Sequence, residues 1–141
     1  MIRQIALGLV LLALTTVIHA SFMDFALHTL RWTHAERWNL KPRFKSTILT
    51  AGLVLMMFFA SMLEAALWAG TYVAVDAISA FEPAFYFSMV TYTTLGFGDM
   101  TLDEGWRILS SIEAANGIIM FGWTTALIVY FVGQQLRSLG K

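Results

Sequence analysis

Cysteine is absent from the 141 residues, which excludes disulfides and thiolate sites and leaves the redox compartment open. Charge is scarce: 13% of residues are Asp, Glu, Lys or Arg, against about 25% in ordinary soluble domains. Too little polar sequence remains for a soluble domain beside the apolar one. The formal net charge is zero, so the basic footprint of a nucleic-acid binder is missing. Lysine and arginine are absent altogether between Ser46 and Trp106. No apolar stretch carries arginine at every third position, which excludes a voltage-sensing helix. Internal repeats and low-complexity segments are also absent. Only a few residues follow Gln135, so no cytoplasmic ligand-binding domain is expected there.

What is present is apolar: 58% of the residues are hydrophobic and the mean hydropathy is +0.69. Three stretches, near 5–22, 48–75 and 108–132, are long enough to cross about 30 Å of hydrocarbon at 1.5 Å per residue. A fourth, Phe85–Thr94, is apolar but far too short, and reads as a re-entrant helix. The fold expected is an all-α membrane protein.

Charge placement predicts the topology. The linker 24–46 carries Arg31, Arg37, Lys41, Arg43 and Lys45. The long segment after it holds Asp76, Glu82, Asp99, Asp103 and Glu104 instead. By the positive-inside rule the linker is cytoplasmic and the acidic loops lie outside. The second helix then runs outward, the re-entrant segment dips in from outside, and the last helix returns to a cytoplasmic C-terminus. The first helix is N-outside on this argument. Arg3, the apolar core and a small-residue site at Ala20 also suit a signal peptide, which would invert the bias. In the linker, Trp32 and Trp38 interleave with Arg31, His34 and Arg37, a composition suited to lipid headgroups. It fits an interfacial helix coupled to a gate or an ordinary anchored loop. Pro42 predicts a helix end near Leu40.

The segment Thr93-Thr94-Leu95-Gly96-Phe97-Gly98-Asp99 follows the short apolar run directly. Glycines spaced by one residue adopt φ > 0 at alternate positions without steric cost. Irregular backbone at membrane depth is tolerated only where it is buried in protein or lines a watery path. A file of carbonyls preceded by a threonine hydroxyl can replace the hydration shell of a potassium ion. Pro83 suits the first turn of the short helix and Glu82 its positive end, while the negative end faces the site of a cation.

The stretch Thr94–Asp99 resembles the filter of the potassium channel pore-domain family, usually Thr-Val-Gly-Tyr-Gly-Asp, with Leu95 for valine and Phe97 for tyrosine. Phe97 has no hydroxyl for the surrounding aromatic cuff, and a looser outer filter is expected. Ala84-Phe85-Tyr86-Phe87-Ser88 is similar to the aromatic pore helix of small bacterial potassium channels. Val90 stands where some of them keep a buried glutamate. Tyr86 stands where they often have a tryptophan bonded to the aspartate after the filter, so its hydroxyl is expected to pair with Asp99. Met100-Thr101-Leu102 departs from their usual Tyr-Pro. Gly117 and Phe121-Gly122 resemble their glycine-hinge region, though close helix packing explains small residues equally well. Aligned on Gly117, the cavity-lining positions are Ile118, Phe121 and Thr125.

The resemblance implies a potassium-channel-like pore at 47–136 with outer helix 47–75, pore helix 83–93, filter 94–98 and inner helix 107–135. It is preceded by an N-terminal transmembrane helix, 1–23, and the linker, and followed by a short tail, 137–141. It further implies a potassium-selective channel with K+ as the permeant ion, held by the carbonyls of Thr94, Leu95, Gly96 and Phe97 and by the Thr94 hydroxyl. Gly98 completes the filter. No organic cofactor and no catalytic residue are implied. One pore loop per chain requires a homotetramer, this chain with three further identical subunits around a fourfold axis. The resemblance also implies surrounding membrane lipid and a bacterial inner membrane, with an unidentified regulatory partner among several gating candidates.

Glu64 and Glu113 lie about 10–15 Å below the outer helix ends at helical rise. A carboxylate inside the membrane is costly and is a functional candidate by default. The two are expected to brace the pore helix through Thr91, Tyr92 or Asn116, or else to face an aqueous crevice. His19, His28 and His34 are candidate proton sensors, against the ordinary reading of structural or interfacial histidines. Two other functions fit parts of the pattern. Gly96-Phe97-Gly98-Asp99 fits the Gly-x-Gly-Asp motif of intramembrane aspartyl proteases, but that chemistry needs a second facing aspartate, and Asp24, Asp76 and Asp103 fall at borders or in loops. A nonselective cation channel of the same fold shares the helices but loses filter sites.

Overall fold

The computed structural model describes residues 1–35 and 42–139, with side chains for 1–29 and 44–137. The chain forms four helices: α1 (Ile2–Ala35), α2 (Pro42–Ala74), α3 (Phe81–Tyr92) and α4 (Arg107–Leu139). No strand occurs among the described residues. Segments 2–29, 44–74 and 107–137 of α1, α2 and α4 are long and apolar enough to cross a membrane. At 12 residues, α3 measures about 18 Å and cannot cross.

Local chemistry explains most of the boundaries. Pro42 occupies the first position of α2, where its missing N–H costs nothing. Asp76 ends that helix with φ 55°, a left-handed state that aspartate tolerates better than most residues. The Tyr72 carbonyl accepts there from the Ala77 and Ile78 amides at 2.9 and 3.3 Å. In α3, Pro83 sits in the first turn rather than at its first residue, and Glu82 lies beside the positive helix end. Several boundaries differ from expectation: α3 spans 81–92 rather than 83–93, and α4 continues past 135 to Leu139. The first helix continues past residue 23 to Ala35, and α2 starts at Pro42 rather than 47. A helix need not stop at Asp24, because polar residues remain helical where the chain leaves the apolar layer. The helix end expected near Leu40 and the tryptophan–arginine pattern of the linker lie outside the described side chains.

Side-chain pairing fixes the directions. Gln4 of α1 meets Ile108 of α4, Thr15 meets Asn116, and His19 meets both Thr124 of α4 and Glu64 of α2. Positions therefore rise together along α1 and α4 and oppose those of α2. The N-terminus lies at the end of the bundle that carries α3 and the loop 93–106.

Helix α1 packs on α2 and α4, and α3 is wedged between α2 and α4. No α1–α3 backbone approach occurs among the described residues. Two apolar clusters hold the bundle. One, around Trp68, Tyr72, Phe87, Tyr92 and Leu109, surrounds α3. The other joins Ala26, Leu53, Met57, Leu127 and Phe131 at the opposite end.

Candidate functional site

The chain leaves α3 after Tyr92 through a tightened turn. Thr93 remains right-handed, with φ −77°, and caps the helix. The Thr94 amide donates to the Thr91 carbonyl at 2.9 Å, and the Leu95 amide to the Val90 carbonyl at 3.0 Å. Beyond this point φ changes sign at every residue: positive at Thr94 (60°), Gly96 (57°) and Gly98 (78°), and not at Leu95 or Phe97. Glycine takes this state freely at two of the three positions. Thr94 does so at a cost of about 1–3 kcal/mol, a conformation that persists only where surrounding structure imposes it.

That surrounding structure converges on Tyr92, two residues upstream. Its side chain is buried and its hydroxyl donates to Glu64 Oε2 on α2. Its ring meets Phe121 of α4 edge-on, with centroids 5.7 Å apart. Its carbonyl lies so close to Gly117 of α4 that any Cβ there would overlap it. Gly117 is thus a close-approach glycine between the re-entrant helix and α4. Gly122 has open space around its Cβ direction.

Glu64 is wholly buried, and His19 Nδ1 lies 2.9 Å from its Oε1, where the Nδ1–H tautomer donates. The other ring nitrogen of His19, Nε2, is 3.2 Å from Thr124 Oγ1 on α4. A second buried bridge runs from the Tyr72 hydroxyl of α2 to Glu113 Oε2 of α4 at 2.7 Å. The Asn116 amide donates to Thr15 Oγ1 of α1 at 2.8 Å. Of the partners expected for the two carboxylates, Glu64 takes Tyr92. Glu113 accepts from Tyr72 of α2 and not from Thr91, Tyr92 or Asn116. Ser88 Oγ of α3 and Glu113 Oε1 are buried and interact with each other, outside the geometry of a well-formed hydrogen bond.

At the outer end, the Tyr86 hydroxyl donates to Asp99 Oδ2 at 2.7 Å. This bond, more than burial, holds the Tyr86 phenol protonated above its ordinary range. Leu95 and Phe97 are exposed by 58% and 64%. On α4, Ile118 and Thr125 are exposed, while Phe121 is half-buried against Tyr92.

Sequence reasoning missed His19, Tyr72, Thr15 and Thr124 as members of this network. A signal for one of them existed. His19 is an ionisable residue in the middle of an apolar stretch, as Glu64 is, and such groups seek each other at matching depth. His28, the other described histidine, takes no part in the network.

Comparison with known families supplies one match. Residues 46–134, well over half of the chain, match a family model described as an ion channel. The match starts in α2 and leaves α1 outside. No curated protein and no solved structure matches the chain.

Proposed function

The chain belongs to this ion channel family, and from that premise we propose that it conducts potassium selectively through a filter at Thr94–Gly98. Its three long apolar helices make it a membrane protein. The observation that carries the reading is the alternation of φ sign from Thr94 to Gly98. Alternating hand is the backbone state that can turn successive carbonyls toward one side. A column of such oxygens substitutes for the hydration shell of K+. Thr94, Leu95, Gly96 and Phe97 supply those carbonyls, and Thr94 adds its hydroxyl at the inner end.

A ring of carbonyls requires four copies of this segment, so the working unit is a homotetramer. The exposure of Leu95, Phe97, Ile118 and Ile119 supports this. Large apolar side chains beside a conducting path need cover, and neighbouring subunits provide it. Ile118, Phe121 and Thr125 then approach the cavity below the filter, and Gly122 is left as the candidate hinge. The acidic loops face outward and the basic linker inward. Asp99 carries the Tyr86 hydroxyl rather than a second carboxylate, which favours a filter over a protease site.

Purified protein in liposomes, driven by K+ or by Na+ gradients with barium as blocker, tests the proposal. Expected is barium-sensitive K+ flux well above Na+ flux. Equal fluxes would establish the nonselective channel instead. Gly98→Ala should abolish K+ flux, because alanine resists φ 78°.

A further inference from the structure

We propose that His19 of α1 is a positioning residue for the filter, so that α1 is a working part of the pore rather than a membrane anchor. The family match begins at residue 46 and does not account for α1. The α1 backbone does not approach α3, so any influence of α1 on the filter has to pass through side chains. A hydrogen-bonded path ends directly on the Tyr92 hydroxyl. His19 Nδ1 meets Glu64 Oε1 at 2.9 Å, and Glu64 Oε2 accepts from the Tyr92 hydroxyl. Tyr92 ends α3 and lies two residues from Thr94, the first left-handed position.

The chemistry of Glu64 gives the path its direction. A carboxylate has two oxygens and can hold two donors at once. With both filled, its plane is fixed from both sides, and the Tyr92 hydroxyl has one place to go. Without His19, Glu64 keeps a buried oxygen unsatisfied and is free to rotate or to recruit water. His19, Glu64 and Tyr92 are each at most 1% exposed, so little solvent is at hand to replace a lost donor. Such losses are felt in full at buried sites. The Gly117 approach and the Phe121 ring constrain the carbonyl and the ring of Tyr92. Its hydroxyl end is held by the hydrogen bond to Glu64.

This inference rests on the filter reading above. It separates from that reading because His19 has two arms that different side chains imitate. Asparagine places a donor near the Nδ1 position and can serve Glu64. Glutamine places one near the Nε2 position and can serve only Thr124. The full chain is reconstituted in phosphatidylethanolamine–phosphatidylglycerol liposomes, and K+ and Na+ fluxes are measured on fractions shown to be assembled. His19→Ala should lower the K+/Na+ flux ratio about tenfold, the scale of one lost buried hydrogen bond. His19→Asn should stay near wild type and His19→Gln should resemble His19→Ala. Tyr92→Phe should reproduce the loss, and His19→Ala with Tyr92→Phe should be no worse than either alone, as for residues on one path. Val17→Ala, on the exposed side of α1, is the control.

A wild-type flux ratio and rate in His19→Ala would overturn the proposal. So would rescue by glutamine equal to that by asparagine, or additive losses in the double variant. Should His19→Ala fail to assemble, the asparagine–glutamine contrast decides alone. Equal K+ and Na+ flux through the wild type would instead overturn the potassium reading, and the same variants would then be judged on the rate of cation flux.

Discussion

The two ends of the Thr94–Gly98 segment are held by different means. At the inner end, Tyr92 is gripped inside one subunit: hydroxyl by Glu64, ring by Phe121, carbonyl against Gly117. At the outer end, Leu95 and Phe97 are largely exposed, and a single surface hydrogen bond joins Asp99 to Tyr86. The inner geometry is therefore written into the fold of the single chain. The outer geometry has to be completed by neighbours. A left-handed threonine belongs at the end with the stronger support, since strain survives only where packing enforces it.

The sharpest way to break this comparison is to disturb the inner grip. In Gly117→Ala the new methyl meets backbone, the Tyr92 carbonyl, which cannot swing aside as a side chain would. A loss of at least about 3 kcal/mol is expected, at the upper end for overpacking, with failure of assembly or a strongly lowered melting temperature. Gly122→Ala, with open space around it, should leave thermal stability nearly unchanged. Equal melting of the two variants would mean that α3 does not rest on α4 at Gly117.

Glu64 comes next. Replacing it with alanine strands the buried His19 and the Tyr92 hydroxyl together. Removing one side of a buried pair costs about 3–5 kcal/mol, to be read as a drop in thermal stability of the assembled protein. The double replacement His19→Leu with Glu64→Leu should recover much of that stability, because two apolar groups leave nothing buried unpaired. Recovered stability without recovered selectivity would separate holding the bundle from positioning the filter. Tyr72→Phe removes the donor to Glu113. It should cost about 1–3 kcal/mol, the penalty of one buried unsatisfied group.

How much of this was legible in the sequence follows from how far each signal reaches. The spans, the short helix and the two-glycine segment are each encoded within about 25 neighbouring residues, by apolar run length and by glycine spacing. Glu64 and Glu113 stood out because each interrupts an apolar run. Their partners did not, because His19 lies 45 positions from Glu64 and Tyr72 lies 41 from Glu113. Such distances are closed only by helix packing, and α1 is apolar nearly all round, so periodicity does not say which face turns inward. The extension of α1 to Ala35 was hidden for a related reason: Asp24 and His28 look like the start of a linker, yet nothing in them breaks a helix.

The smallest effect is expected at the outer end, and its pH dependence sharpens the contrast. The Tyr86 hydroxyl donates to Asp99, and that bond is the main cause of the raised phenol pKa. A raised value means that the protonated phenol is favoured in the folded protein. Its contribution is therefore fully present below the ordinary tyrosine value of 10.0 and is lost as pH rises through the raised one. Above that point phenolate faces carboxylate, and the two repel. Wild-type K+ flux should hold steady from neutral pH to about pH 10 and change only beyond it. In Tyr86→Phe this alkaline step should vanish, with little change in thermal stability at neutral pH, since the bond is exposed on the single chain and ties down little of its fold. An alkaline step that persists in Tyr86→Phe would assign it to another group. A large loss of stability in that variant would mean that the outer end is held within the single chain after all.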